Sequence, residues 1–116
     1  YEVQIYASHG QKPADTNAAA FYSQKPASVE ASKPAGEWQS YDIVFRAPRF
    51  NAEGKVVEPA RATVFFNGVL VHANNDFLGP TGIQYEDFKD MAKTGPIVLQ
   101  GDHDAVQYRN IWVIPL

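Results

Sequence analysis

Residues 60–71 read Ala60-Arg61-Ala62-Thr63-Val64-Phe65-Phe66-Asn67-Gly68-Val69-Leu70-Val71, and this stretch decides the fold class. A β-branched and aromatic run meets Asn-Gly and resumes as another apolar run. Asn and Gly both tolerate positive φ, so the pair fits the type I′ turn whose twist matches two antiparallel strands. The stretch predicts a hairpin. Working outward, Trp38 to Ala47 alternates, setting Gln39, Tyr41, Ile43 and Phe45 against Trp38, Ser40, Asp42, Val44 and Arg46. The first set is the better core face. Asn51 to Gly54 supplies a polar turn between these runs.

Further out, Tyr1 to Tyr6 alternates Tyr1, Val3 and Ile5 with Glu2, Gln4 and Tyr6, the pattern of a half-buried strand with a polar face. Ala18 to Ser23 is a second candidate strand, followed by a loop broken by Pro26, Pro34 and Gly36. Towards the other end, Tyr85 to Lys93 is a candidate short helix with Glu86 and Asp87 favouring its N-terminus. Ile97 to Gln100 is a strand, and Val106 to Ile114 is the last and longest one. Six or seven short strands with at most one helix predict an all-β, antiparallel sandwich or barrel over residues 1–116, taken as a single domain.

Composition bounds the function. A chain of 116 residues, 45% hydrophobic and 20% charged, suits one soluble core. No apolar run approaches the roughly 20 residues of a membrane helix. A formal charge of -3, with Lys and Arg scattered singly, offers no basic stripe for a nucleic acid. The absence of cysteine excludes disulfides, thiolate metal sites and a cysteine nucleophile. No nucleophile elbow or phosphate loop is present, so serine hydrolysis and nucleotide binding are disfavoured.

Several segments occur together in order: Tyr1-Glu2-Val3-Gln4-Ile5, Tyr22-Ser23-Gln24-Lys25-Pro26, Gly36-Glu37-Trp38-Gln39-Ser40-Tyr41-Asp42-Ile43, Asn67-Gly68-Val69-Leu70-Val71, Gly95-Pro96-Ile97-Val98-Leu99-Gln100 and Tyr108-Arg109-Asn110-Ile111. This ordered set resembles the 3-keto-disaccharide hydrolase domain family, formerly a domain of unknown function. The resemblance implies a concanavalin- or laminarinase-like jelly roll with a sugar-binding groove, in a bacterial protein that is periplasmic or secreted. Family members carry several strands ahead of the Tyr-Glu-Val-Gln-Ile motif, so the resemblance is to the C-terminal portion of the family domain, an incomplete sandwich. Exposed sheet edges would then be satisfied by those N-terminal strands or by a homo-oligomer.

The activity implied is cleavage of 3-keto-disaccharides and other 3-keto-glycosides by base-catalysed elimination and hydration. Such chemistry needs a base, an acid for the leaving oxygen, and a donor or cation that stabilises the enolate. Glu2, on the polar face of its strand, is the first acid or base candidate; an exposed carboxylate on a solvated face explains it equally well. His103, in Gln100-Gly101-Asp102-His103-Asp104, is the second, its basicity raised by flanking carboxylates. Asp104 stands where the family more often has Gly. Arg109 suits enolate stabilisation, or alternatively a cross-strand ion pair. Gln4, Tyr6, Lys25, Trp38, Gln100 and Asp102 are candidate sugar contacts, although Trp38 and Trp112 suit a sandwich core as well. No spacing marks a metal site. A divalent Mn, Ca or Zn ion remains chemically compatible with His9, His72 and His103 in company with Glu2 or Asp76. The competing function is a carbohydrate-binding module on the same sandwich that cleaves nothing.

Overall fold

A computed structural model of the chain describes residues 1–82, 94–101 and 104–116. Its five strands are β1 (Tyr41–Arg46), β2 (Arg49–Phe50), β3 (Val56–Glu58), β4 (Arg61–Phe66) and β5 (Val69–Asp76). One sheet has the order β1-β4-β5 and a second pairs β2 with β3. Every strand pair is antiparallel, and no helix occurs among the described residues. The fold class is all-β and antiparallel, as the sequence predicts.

The Asn67-Gly68 turn forms as its chemistry requires. Asn67 has φ 51° and Gly68 φ 78°, both in the left-handed region that a type I′ turn uses. Asn67 is also a hub. Its backbone N–H donates to the Ser40 carbonyl (2.9 Å), its Oδ1 accepts from the Ser40 N–H (2.9 Å), and its Nδ2 donates to the Ala31 carbonyl (2.7 Å) and Gln39 Oε1 (3.1 Å). The turn thereby ties the hairpin to the entry of β1. Strand β5 runs to Asp76, well beyond the predicted Val71, through a bulged register. Asn74 there has φ 50° and donates its N–H to Thr63 Oγ1 at 2.9 Å.

Alternation along β4 turns Ala62, Val64 and Phe66 inward and leaves Phe65 outside. The β1–β4 register sets Tyr41, Ile43 and Phe45 beside Phe66, Val64 and Ala62, which is the face predicted. Burial departs from the prediction. Ile43 is 46% and Phe45 38% exposed, because β1 is the outer strand and the layer formed by the first thirty or so residues covers mainly β4 and β5. That layer contributes Phe21, which stacks between His72 (4.0 Å between ring centroids) and Phe77 (3.9 Å). Tyr1 meets Phe77 edge-on at 5.0 Å, and Tyr41 stacks on Phe66 at 4.4 Å.

Four predicted strands are not formed. Tyr1 to Tyr6 and Ala18 to Ser23 meet in a single bridge, Val3 to Phe21, because Ala19 (φ 61°) and Ser23 (φ 59°) are left-handed and interrupt a ladder. Ile97 to Gln100 and Val106 to Ile114 have no strand partner among the described residues. Their apolar side chains stay in water, with Val98 78% and Trp112 71% exposed. The predicted helix over Tyr85 to Lys93 lies outside the described residues. Conversely, β2 and β3 form around the Asn51–Gly54 turn, where Asn51 Oδ1 accepts from the N–H groups of Glu53 (3.1 Å) and Lys55 (2.9 Å).

Candidate functional site

Two stretches distant in sequence meet at the polar residues singled out above. The Gln4 carbonyl accepts from the Ala19 N–H (2.8 Å) and its own N–H donates to the Ala20 carbonyl (2.9 Å), which holds residues 3–5 on the Ala-rich segment. Gln4 is only 3% exposed. Its side chain donates to the Thr16 carbonyl (3.2 Å) and accepts from Gln100 Nε2 (2.7 Å). Gln100 Oε1 in turn accepts the Ile5 N–H at 2.8 Å. The carboxylate of Asp104 takes the Ala7 N–H at 3.0 Å. Residues 5 and 7 of an extended chain turn their N–H groups the same way, so side chains from Gln100 and Asp104 supply the acceptors that a neighbouring strand would otherwise offer.

Phenols complete the junction. The Tyr108 hydroxyl donates to the Gln100 carbonyl, and the Tyr41 hydroxyl donates to the Gln4 carbonyl at 3.1 Å. Burial raises both phenols above their ordinary value, so they are protonated donors at neutral pH and not phenolate bases.

Gln4 is therefore a correction: predicted on an open polar face, it spends its amide inside the protein, because Thr16 and Gln100 supply partners that alternation cannot reveal. Gln100 likewise commits its amide to Ile5 and Gln4. Glu2 is half-buried, with its carbonyl accepting from the Tyr22 N–H (3.3 Å). Tyr6 is 38% exposed, and Lys25 is exposed in the turn that pairs with Phe21. Asp102 and His103 lie outside the described residues. Arg109 does not form the anticipated cross-strand ion pair among the described residues; its guanidinium lies 3.8 Å from the centre of the Trp38 ring. Trp38 is 45% exposed and Trp112 71%, so neither serves as a core aromatic.

The histidines separate by environment. His72 is 1% exposed, its Nε2–H donating to the Ala19 carbonyl (2.9 Å) while Nδ1 lacks a hydrogen-bond partner. Burial lowers its pKa, against the opposing effect of the Ala19 carbonyl. His9 is exposed and donates from Nδ1 to the Ser32 carbonyl at 2.8 Å. Among the described residues no group of three His, Asp or Glu side chains is arranged to hold a metal ion. Asp104, Tyr108 and Tyr41 were not singled out as contacts. Only the polar residues at both ends of the Gln100 to Asp104 loop hinted at such a clamp.

The family described as the 3-keto-alpha-glucoside-1,2-lyase-like domain matches residues 1–114. The chain belongs to this family. The match gives no support to the expectation that the chain is the C-terminal portion of the family domain. A crystal structure from Parabacteroides distasonis, of a protein described as a "putative glycosyl hydrolase", is similar at 29% sequence identity with a TM-score of 0.62. The similarity covers 67% of this chain and 34% of that one, so the chain spans about a third of its neighbour's length. None of the curated proteins compared matches it. No helix among the described residues is long and apolar enough to cross a membrane.

Proposed function

We propose that this chain contributes to the cleavage of 3-keto-glycosides by elimination followed by hydration. The observation that carries the reading is the family match across residues 1–114. The clamp that joins Gln4, Ile5 and Ala7 to Gln100 and Asp104 supports it, since it brings together two of the segments that carry the family resemblance.

A ketone at C3 of the sugar acidifies the C2 hydrogen. A base takes that proton, the electron pair forms the C1–C2 double bond, and the C1–O bond breaks. The leaving oxygen takes a proton from an acid, after which water adds across the double bond to regenerate the 3-keto sugar. Glu2 and His103 are assigned the acid and base duties, without a division between them. Arg109 is assigned the enolate, which requires its guanidinium to leave or share the Trp38 ring. Tyr6, Lys25, Trp38 and Asp102 are assigned to sugar hydroxyls and ring faces. Gln4 and Gln100 are withdrawn as direct contacts and act through backbone placement. The family implies a periplasmic or secreted bacterial protein, and that location is part of the proposal.

The second reading, a carbohydrate-binding module, draws on the exposed Trp38 ring with Arg109 on it, an amphipathic platform on which a pyranose can stack. The deciding experiment incubates the protein, with and without Mn or Ca, with 3-keto-trehalose and with trehalose. Release of 3-keto-glucose and glucose from the keto sugar alone is expected. Glu2→Gln and His103→Ala should each lower turnover by about 10²-fold or more while binding persists. Binding without release from either sugar would replace the hydrolase with the module.

A further inference from the structure

Strand β1 is an edge whose own sequence is complementary to itself. Among the described residues it pairs with β4 on one side and with nothing on the other. Such an edge leaves backbone N–H and C=O groups open, and natural proteins blunt it with charged side chains, proline, a bulge or an inward-pointing charge. No proline, bulge or inward-pointing charge lies within Tyr41–Arg46; its charges, Asp42 and Arg46, stand on the outer face, and Ile43 (46% exposed), Val44 (50%) and Phe45 (38%) put apolar surface on both faces.

The bonding pattern fixes which groups are open. Ser40 takes the Asn67 N–H, and the β1–β4 register is unbroken from Tyr41 to Arg46. By antiparallel alternation, Asp42, Val44 and Arg46 turn their backbone groups towards β4, whereas Ile43 and Phe45 turn theirs outward. The charges then select a partner. On the outer face a row runs across the sheet from Asp76 through Arg61 to Arg46, with Arg61 bonded to Asp76 at 3.1 Å. Arg46 ends that row beside another arginine and has no ion pair among the described residues; neither has Asp42. What fits next to Arg46 is a carboxylate on an incoming strand.

We propose that a second copy of this chain supplies it, β1 pairing with β1 antiparallel about a two-fold axis at Val44. In this register Asp42 faces the partner's Arg46, and Arg46 faces the partner's Asp42. Ile43 and Phe45 exchange their open backbone bonds with the partner's Phe45 and Ile43. Moving the axis by one residue sets Asp42 against Val44 or Pro48, and half-residue shifts invert the core face, so charge and face together choose one register. The four-membered row Asp76, Arg61, Arg46 and the partner's Asp42 then balances. The strand is short, so the pairing belongs with small, weak interfaces, with dissociation constants in the micromolar range or above.

Sedimentation equilibrium of the whole chain, from micromolar to near-millimolar concentration, tests this. A monomer–dimer equilibrium that weakens with salt is expected. Asp42→Arg and Arg46→Asp each convert both cross-dimer ion pairs into like-charge pairs and should weaken dimerisation at least about tenfold. The double variant D42R/R46D restores opposite charges and should recover most of the loss, which also shows that the changes leave the fold intact. A monomer at every concentration, single reversals that dimerise like the parent, or a double reversal that stays monomeric would each overturn the proposal. The last outcome points to a different strand as the natural occupant of this edge.

Discussion

Replacing Gln100 with Ala removes two hydrogen bonds, from Gln100 Nε2 to Gln4 Oε1 (2.7 Å) and from the Ile5 N–H to Gln100 Oε1 (2.8 Å). Each is worth about 1 kcal/mol net. Gln4 is 3% exposed, so its Oε1 is left without a donor in a place water reaches poorly, adding about 1 kcal/mol. The Ile5 N–H is half-buried and recovers part of its loss from solvent. The total is about 2 to 3 kcal/mol. With a urea m-value of about 2 kcal/mol/M, the unfolding midpoint should fall by about 1 M. Urea titration followed by Trp38 and Trp112 fluorescence reads this shift. Gln100→Glu is the sharper control: it keeps the acceptor for Ile5 but sets a carboxylate against Gln4 Oε1, and should be at least as harmful as Ala. A midpoint shift below about 0.3 M for both variants would refute the clamp, since a surface substitution does as little.

Two further outcomes rest on the core and the hairpin. His72 is held neutral with a pKa below the ordinary 6.5, so the unfolded chain binds its proton more readily. Stability should be fully present above about pH 6.5 and should fall as pH drops from there through the lowered folded value. Urea midpoints of the parent at pH 7.5 and 5.5 should therefore differ more than those of His72→Phe, which keeps the ring stacked on Phe21; equal differences would remove His72 as the cause. Asn67→Ala removes three side-chain hydrogen bonds and puts a non-glycine, non-asparagine residue at φ 51°, for a loss of about 2 to 3 kcal/mol. Asn67→Gly relieves the backbone and should lose less, and an Ala variant as stable as the Gly variant in thermal unfolding contradicts the turn argument.

The hairpin was legible because its determinant is local: Asn67-Gly68 states the turn, and the flanking runs state the faces. The parity of β1 was legible for the same reason. Its exposure was not, since burial depends on what lies over a strand and Ile43 carries no mark of being at an edge. The N-terminal alternation misled because Ala19 and Ser23 take left-handed backbone that neither residue type advertises. Gln4 misled more deeply. Nothing near it reports that a glutamine 96 positions away will accept its company. The apolar alternation from Val106 to Ile114 has the composition of a strand, but a strand forms only when a neighbour offers its backbone.

That separation also has a kinetic side. The β4–β5 turn closes within a few residues, whereas joining Gln4 to Gln100 closes a loop of 96 residues, at an extra entropic cost of about 3 kcal/mol by logarithmic scaling against a ~4-residue turn. The hairpin therefore belongs to the early steps of folding and the junction of the two distant segments to the late ones. Weakening that junction should leave the refolding rate nearly unchanged and make the native chain come apart faster, so its hydrogen bonds act chiefly as a brake on unfolding.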